Sequence, residues 1–245
     1  MRLDPEVEWT EMTTEHHDRR MWSPSNPSGS AMARFARAVD GEASAAGDLH
    51  RWSIAEPEAF WAAVWQHCGV IGERGTRVIE SHQFMPSTRF FPEASLSVVE
   101  NIVHRSGPAD ALVAVDEQGN RRSRSWDDLR ERVARLAGAL SQAGVGEGDR
   151  VVAWLATSIE AVEVMLAAAS LGAVYSSSSP DFGVSGVLDR FGQIGPTVLV
   201  AQDGYWYNGK YFDCLDRLEH IVAGLPSHPT RARTRANSTS SNPWW

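Results

Sequence analysis

Three short apolar runs alternate with two helix-like segments between residues 151 and 201, and this alternation most restricts the fold. The runs begin near Val151, Ala173 and Thr197. The first and the third run lack polar positions at every second residue, as is typical of parallel strands that helices cover on both faces. The segments between them carry apolar residues at helical spacing. The order predicts an α/β fold with a βαβαβ unit in a parallel sheet and right-handed crossovers.

Helix boundaries around this unit are marked by capping residues and glycine. Thr157 and Glu160 have the spacing of a capping box, which predicts the start of the first helix of the unit. Gly172 is predicted to end that helix in the left-handed conformation. Ser125 and Asp128 have the spacing of a further capping box, and we expect a helix to begin there.

Composition divides the chain into four segments. We predict a loosely ordered arm at residues 1–30, a mainly helical part at 31–93, and a segment 94–225 in which residues 94–201 form one continuous α/β domain. The last segment, 226–245, has three arginines, no carboxylate and no apolar period. It is predicted to be disordered, or to be translated outside the ancestral reading frame.

Charge and cysteine content limit the function classes. The net charge is −8 and no basic stripe is visible, whereas binding to nucleic acid or an anionic membrane needs a basic surface. The two cysteines, Cys68 and Cys214, lie far apart in the sequence. This usage is typical of proteins from a reducing compartment, where thiols remain free. The longest uncharged apolar stretch, 164–175, is shorter than the roughly 20 residues that cross a bilayer. We predict a soluble, cytoplasmic protein that binds neither nucleic acid nor membrane.

A dense aromatic face follows Pro57, with Phe60, Trp61 and Trp65 at helical spacing. Rings this close together usually pack in a core. A platform that stacks sugars or bases is the alternative, and it needs exposed rings. We favour packing.

Residues 204–210 follow an apolar strand and combine glycines with Lys210, as in a phosphate-binding loop. Tyr211 stands where such a loop needs Ser or Thr for Mg²⁺, and three bulky aromatic side chains occupy the loop itself. We therefore favour a packed or cleft-lining aromatic loop. Lys210 remains a candidate contact for a ligand phosphate.

The serine-rich stretch 176–181 follows the second strand of the unit, where open α/β sheets place ligands. Its residue types also suit a polar loop in which Asp181 or a serine caps the next helix, and we favour that alternative. The first strand is followed by Ala156-Thr157-Ser158 in place of a glycine fingerprint for dinucleotides, and no G-x-S-x-G elbow is present. The histidines are scattered, and neither cysteine has a second ligand at a suitable spacing. We therefore predict no metal site.

Several motifs together resemble the first subdomain of the adenylate-forming acid:CoA ligases. They are Trp126–Leu129, Gly148–Val151, Met165–Ala173 and Leu188–Phe191. Phe60–Trp65 and Phe91–Pro92 resemble the N-terminal cap of the acetyl-CoA synthetase branch, with Glu93 and Ser97 in place of the branch's usual Gly and Asn. Residues 175–183 and 204–210 are most similar to the members that activate acetoacetate. The likeness covers about residues 32–225.

The resemblance implies a reaction in two steps, in which ATP and an acid form an acyl-adenylate and CoA then displaces AMP. It implies ATP, Mg²⁺ and CoA as cofactors of the full-length family, and acetoacetate as the substrate, with another short acid such as acetate as the alternative. The family's adenylate-forming motifs correspond to positions beyond Pro226, so no catalytic residue is assigned. One site residue carries over: Lys210 lies near the place where related synthetases put a basic residue against the CoA 3′-phosphate.

By this resemblance, residues 31–93 are the N-terminal cap and 94–225 the first part of the AMP-binding domain. We expect an N-terminal fragment of a ligase, inactive alone, that binds no cofactor tightly. The alternatives are a non-catalytic module for a small ligand, one half of a two-chain ligase whose partner is the C-terminal portion, and a different α/β enzyme that uses the serine loop. An incomplete sheet exposes an edge and apolar surface, so we expect self-association, and deleting 227–245 is expected to change it little.

Overall fold

The structure is a computed structural model, and it describes residues 22–40, 46–80, 85–227 and 229–234. Most of the arm predicted at 1–30 lies outside these ranges. Contacts within the chain define two units, Met1–Ser95 and Leu96–Trp245. No helix in the described ranges is both long and apolar enough to cross a membrane.

The first unit is mainly helical. It contains the elements α1 (Ala31–Asp40), α2 (Ala46–Ala55), α3 (Pro57–His67), β1 (Ile79–Glu80) and β2 (Arg89–Phe90). The two short strands pair in antiparallel fashion. Pro57 occupies the first turn of α3, where its fixed φ and missing N–H cost nothing.

Aromatic rings of the first unit pack against one another. Phe60 contacts Trp52 and Phe35 edge to face, with ring centroids 5.3 and 5.8 Å apart. Trp65 lies 4.9 Å from Phe91 by the same measure. These contacts agree with the packing interpretation for Phe60 and Trp65. Trp61 is exposed, and no residue of α3 is fully buried, so the face as a whole is not a closed core.

The second unit alternates strands and helices. Its elements are α4 (Val98–Val103), β3 (Asp110–Val115), β4 (Arg121–Ser125), α5 (Trp126–Gln142), β5 (Arg150–Trp154), α6 (Ile159–Ser170), β6 (Val174–Ser178), α7 (Val184–Gly192), β7 (Val198–Gln202), β8 (Gly204–Tyr207), β9 (Lys210–Asp213), α8 (Leu215–Gly224) and β10 (Thr230–Thr234). Strands β3 and β4 form an antiparallel hairpin, and so do β8 and β9.

A four-stranded parallel sheet in the order β10-β7-β5-β6 forms the centre of this unit. Val151 of β5 lies opposite Tyr175 of β6 and Val198 of β7. The predicted α/β class and βαβαβ unit are therefore confirmed. The strand β5 is buried on both faces, with Ala153 toward α5 and α6 and Trp154 toward α7 and α8. Burial on both faces explains why its sequence shows no polar alternation.

Two of the predicted helix boundaries are confirmed. Gly172 follows α6 with a φ of 70°, in the left-handed region that glycine enters without steric cost. The Ser125 hydroxyl accepts from the Asp128 N–H at 3.1 Å, and the Asp128 carboxylate accepts from the Ser125 N–H at 3.3 Å. These two bonds are the capping box expected at the start of α5.

The capping box predicted at Thr157 and Glu160 is wrong. Ser158 caps α6 instead, since its hydroxyl accepts from the Ala161 N–H at 3.2 Å. The Glu160 carboxylate accepts two bonds from the Arg122 guanidinium, at 2.9 and 3.1 Å. The partner comes from a distant strand, so local spacing alone could not have indicated it.

The hairpin of β3 and β4 is joined to α6 by ion pairs whose carboxylates, those of Glu160 and Glu163, are buried. Besides the Arg122–Glu160 pair, Arg124 donates from Nε to Oε1 of the fully buried Glu163 at 3.1 Å. Burial raises the pKa of Glu163, although Arg124 and Arg132 act to lower it. These contacts fix the hairpin, and with it the turn between its strands.

The tail predicted at 226–245 is ordered in part, which corrects the expectation of disorder. Thr230–Thr234 form β10, which pairs in parallel with β7 from Val198 to Gln202. The edge of β7 offers backbone groups that need partners, and a neighbouring strand satisfies them whatever the period of its side chains. Ala232 also packs against the core on the α5 and α6 face. Residues 235–245 lie outside the described ranges, and the reading frame stays an open prediction.

Candidate functional site

The carboxyl ends of β5, β6 and β7 lie at the same edge of the sheet because the three strands are parallel. The strands end at Trp154, Ser178 and Gln202. Open α/β sheets bind ligands at this edge. The serine-rich loop leaves β6 here, and the β8–β9 hairpin follows β7 after Asp203. The candidate site is therefore this edge and the two segments beside it.

The serine loop does not cap α7, so the interpretation favoured from its residue types is wrong. Gly183 is the N-cap of α7, and no side chain bonds there. Ser179 instead donates from its hydroxyl to Asp181 Oδ2 at 3.0 Å. The Tyr205 hydroxyl donates to Asp181 Oδ1 at 2.9 Å. Asp181 thus links the loop after β6 to the hairpin after β7.

Three polar atoms at the ends of the strands are buried without a hydrogen-bond partner among the described residues. They are Trp154 Nε1, Ser178 Oγ and Gln202 Nε2. The Gln202 side chain uses its other atom, Oε1, to accept from the Ala156 N–H at 2.8 Å. An unpaired buried donor costs about 1–3 kcal/mol, so such groups mark places where a polar ligand or water is favourable.

Arg217 of α8 brings a positive charge to the same edge. Its guanidinium lies 5.1 Å from the centre of the Trp154 ring and donates to the Pro180 carbonyl at 2.9 Å. It also contacts the Sγ of Cys214 at 3.5 Å. Burial raises the pKa of Cys214 to about 11, so this thiol stays protonated near neutral pH and is a poor nucleophile.

Residues 204–210 form a β-hairpin rather than a phosphate-binding loop that opens a helix. Asn208 and Gly209 make the turn, with φ values of 51° and 70°. Lys210 is exposed and lies opposite Tyr207 across the hairpin, while Tyr205 lies opposite Phe212.

The pairing places Lys210 on a defined face of the hairpin. Side chains alternate along a strand, and directly opposite residues share a face. Lys210 therefore lies on the face that carries Tyr205, whose hydroxyl reaches Asp181 in the serine loop. Burial, followed by the bond to Asp181, raises the pKa of Tyr205, so it remains a donor. Lys210 is thus an exposed ammonium next to the turn of the hairpin, on the same face as Tyr205.

The sequence proposed Lys210 as a phosphate contact, which stays a prediction, and it favoured a capping role over a ligand role for the serine loop. It assigned no site role to Trp154, Tyr205 or Arg217. The position of Trp154 at the end of a buried strand is a signal that could have been used. Arg217 gave no such signal, since it lies in the first turn of α8 and its contacts with Trp154 and Pro180 come from other elements. Within the described ranges, no group of three His, Cys, Asp or Glu side chains is placed to hold a metal ion.

Comparison with known proteins identifies two families. The profile of the family described as AMP-binding enzyme matches residues 99–241, which is more than half of the chain. The profile described as acetyl-coenzyme A synthetase N-terminus matches residues 47–102.

Individual relatives agree with these profiles. The acetoacetyl-coenzyme A synthetase of Rhizobium meliloti (strain 1021) is 47% identical over 177 residues, which are 72% of this chain and 27% of that protein. The acetoacetyl-CoA synthetase of Macaca fascicularis is 38% identical over 214 residues, 84% of this chain and 32% of the relative. A solved structure of acetoacetyl-CoA synthetase from Streptomyces lividans matches with a TM-score of 0.77 at 34% identity, over 88% of this chain and 35% of that one. The chain thus spans about a third of the length of these relatives and corresponds to their N-terminal part.

Proposed function

Because the chain belongs to the AMP-binding enzyme family, we propose that it is the N-terminal part of an ATP-dependent acid:CoA ligase whose acid is acetoacetate. The observation that carries this proposal is the likeness to acetoacetyl-CoA synthetases over most of the chain. In such a reaction ATP, together with Mg²⁺, donates its adenylyl group to the acid. The thiol of CoA then accepts the acyl group. A cytoplasmic location is part of the same proposal.

In this proposal the 245 residues contribute the structural framework of the ligase rather than its catalytic groups. In the proposal they provide the cap, the parallel sheet and the carboxyl edge. The resemblance implies that the family's adenylate-forming motifs correspond to positions after Pro226. Electrostatic stabilisation of the transferring phosphorus centre is the main catalytic contribution in this chemistry. We therefore expect the 245-residue chain by itself to be inactive.

An assay of pyrophosphate release tests this expectation. The purified chain is incubated with ATP, Mg²⁺, CoA and acetoacetate, and pyrophosphate is measured with and without the acid. We expect no acid-dependent release. Release that requires acetoacetate would contradict the expected inactivity, and release that acetate supports equally well would contradict the choice of acid.

Lys210 is the proposed contact for the CoA 3′-phosphate. Its place in the structure fits this role, because it is exposed on the hairpin face that meets the serine loop at the carboxyl edge. A lysine ammonium acts on phosphate as a flexible point charge. It is also the only lysine in the sequence, so its amine can be followed chemically apart from the N-terminal amine.

Replacing Lys210 with Ala tests this contact by calorimetry with CoA and 3′-dephospho-CoA. We expect weak CoA binding by the unaltered chain and, in K210A, an affinity for CoA lower by about threefold to tenfold, as for the loss of one exposed charge contact. Binding of 3′-dephospho-CoA should not change. The control R135A removes an equal charge from an exposed position on α5 and should leave both affinities as they are.

Chemical modification gives a second measurement. Saturating CoA should slow acetylation of Lys210, while the N-terminal amine reacts at its usual rate. If K210A binds CoA with unaltered affinity, or if CoA does not protect the lysine, Lys210 is removed from the site.

A further inference from the structure

A carboxylate from a distant turn holds the tip of the Lys210 hairpin. Glu117, in the turn between β3 and β4, accepts from the Asn208 N–H at 2.9 Å through Oε1. Its Oε2 accepts from the Gly209 N–H at 3.3 Å. Asn208 and Gly209 are the two turn residues that immediately precede Lys210. We propose that Glu117 is a positioning residue that fixes the hairpin tip so that the Lys210 ammonium meets the phosphate, an inference that rests on the proposed function.

The hairpin tip needs such a contact. Strands β8 and β9 pair only with each other among the described residues, and an isolated two-stranded hairpin is marginally stable in water. Trp206, Tyr207 and Tyr211 are all exposed near the tip, and the ring contact between Trp206 and Tyr211 lies within the hairpin itself, so it does not fix the tip to the rest of the unit. Two N–H groups from successive left-handed residues form a concavity that suits an anion, and the Glu117 carboxylate occupies it.

Glu117 can act in this way because its own turn is rigid. The carboxylate of the neighbouring Asp116 accepts from the N–H groups of Gln118 at 3.0 Å and Asn120 at 2.8 Å. It also accepts from the Asn120 side-chain amide at 2.9 Å. The next strand is held to α6 through the Arg122 guanidinium. A path of bonded groups therefore leads from the core helix α6 to the hairpin that carries the lysine.

A competing role for Glu117 predicts the opposite effect of its removal on CoA binding. A carboxylate bound to these N–H groups could act as a competitor that phosphate must displace, in which case its removal would strengthen CoA binding. The geometry points to positioning because both bonds go to the turn backbone, and because the phosphate contact in the proposed function is the lysine side chain.

The experiment compares E117A and E117Q with the unaltered chain and with E131Q. Glu131 is exposed on α5, so E131Q removes an equal charge outside the site. The first readout is amide exchange at Asn208 and Gly209 without ligand. We expect exchange about tenfold faster in E117A. E117Q should be intermediate, since a Gln oxygen can accept from one of the two N–H groups.

The second readout is the preference for CoA over 3′-dephospho-CoA. E117A should lose most of this preference, and E117A combined with K210A should bind no more weakly than K210A alone. Unchanged amide exchange in E117A, tighter CoA binding in E117A, or additive losses in the double variant would each overturn the inference.

Different results would contradict the Lys210 contact and the positioning role of Glu117. If the unaltered chain shows no preference for CoA over 3′-dephospho-CoA, the Lys210 contact fails and the ligand role of Glu117 fails with it. If K210A abolishes the preference and E117A retains it, the proposed function stands and the role of Glu117 is wrong. Thermal unfolding of each variant is measured alongside, and E117A should melt close to the unaltered chain because Glu117 is exposed.

Discussion

Glu93 fixes a turn of the first unit through a set of hydrogen bonds. Its Oε2 accepts from the Thr76 N–H at 2.8 Å and from the Thr76 hydroxyl at 2.9 Å, and its Oε1 accepts from Arg77 Nε at 2.7 Å. The backbone bond from Thr76 is the largest cause, and Arg77 the next, of a pKa lowered to about 2. The resemblance described above implies a glycine at this position, and a glycine could not make these side-chain contacts.

The low pKa of Glu93 predicts an acid-dependent contribution to stability. A carboxyl whose pKa falls from an ordinary 4.5 to about 2 on folding stabilises the folded state above pH 4.5. That contribution is lost as the pH falls toward 2. We expect E93Q to lower the melting temperature at pH 7, and we expect the difference from the unaltered chain to shrink between about pH 5 and pH 2.

Thermal unfolding followed by circular dichroism across this pH range measures the effect. E58Q, which alters an acid in the first turn of α3, is the control and should show a smaller and flatter difference. A difference between E93Q and the unaltered chain that is the same at pH 7 and pH 2.5 would show that the carboxylate charge is not responsible.

At the scale of elements, β10 completes one side of the sheet. It pairs with β7 over five residues, from Thr230 to Thr234, and one of its side chains reaches the core. Among the described residues no strand pairs with the outer edge of β10. An apolar groove of about 420 Å³ lies between this strand, β7 and α5. Without β10, the edge of β7 would be bare.

Two truncations test the contribution of β10. A chain that ends at Thr234 keeps the strand, whereas a chain that ends at Pro226 loses it. We expect the shorter chain to be less stable by on the order of 2–4 kcal/mol, because each backbone hydrogen bond contributes roughly 0.5–1.5 kcal/mol. Its melting temperature should be about 5–10 °C lower. The chain that ends at Thr234 should melt like the full chain.

Light scattering of the same truncations addresses association. We expect the bare edge of β7 to increase self-association of the shorter chain at protein concentrations on the order of tens of micromolar. This revises the expectation that deleting 227–245 changes association little. Equal melting temperatures and equal scattering for the two truncations would show that β10 contributes nothing in solution.

At the scale of the whole molecule, the two units match different family profiles. The profile described as acetyl-coenzyme A synthetase N-terminus matches residues 47–102, most of which lie in the helical unit, and the AMP-binding profile matches residues 99–241, which lie in the α/β unit. The candidate ligand edge belongs wholly to the α/β unit. Its two distinctive segments, the serine loop and the Lys210 hairpin, are joined by the hydrogen bond from Tyr205 to Asp181.

The sequence by itself determined the order of elements and several of their boundaries. Apolar runs without alternation indicated buried parallel strands, Gly172 marked the end of α6, and Ser125 with Asp128 marked the start of α5. These signals succeed because each depends on neighbours within one helical turn or one strand.

Tertiary structure alone decided the contacts that build the site and bury the charges. Glu117 meets Asn208 from 91 residues away, and Tyr205 meets Asp181 from 24 residues away. Glu160 fits a local cap in sequence, yet in the fold its carboxylate binds Arg122 from 38 residues away. The residues of β10 show no apolar period in the sequence. They form a strand because they pair with the edge of β7. Local propensity cannot indicate such pairings, because whether two distant groups meet depends on how the whole chain closes around its core.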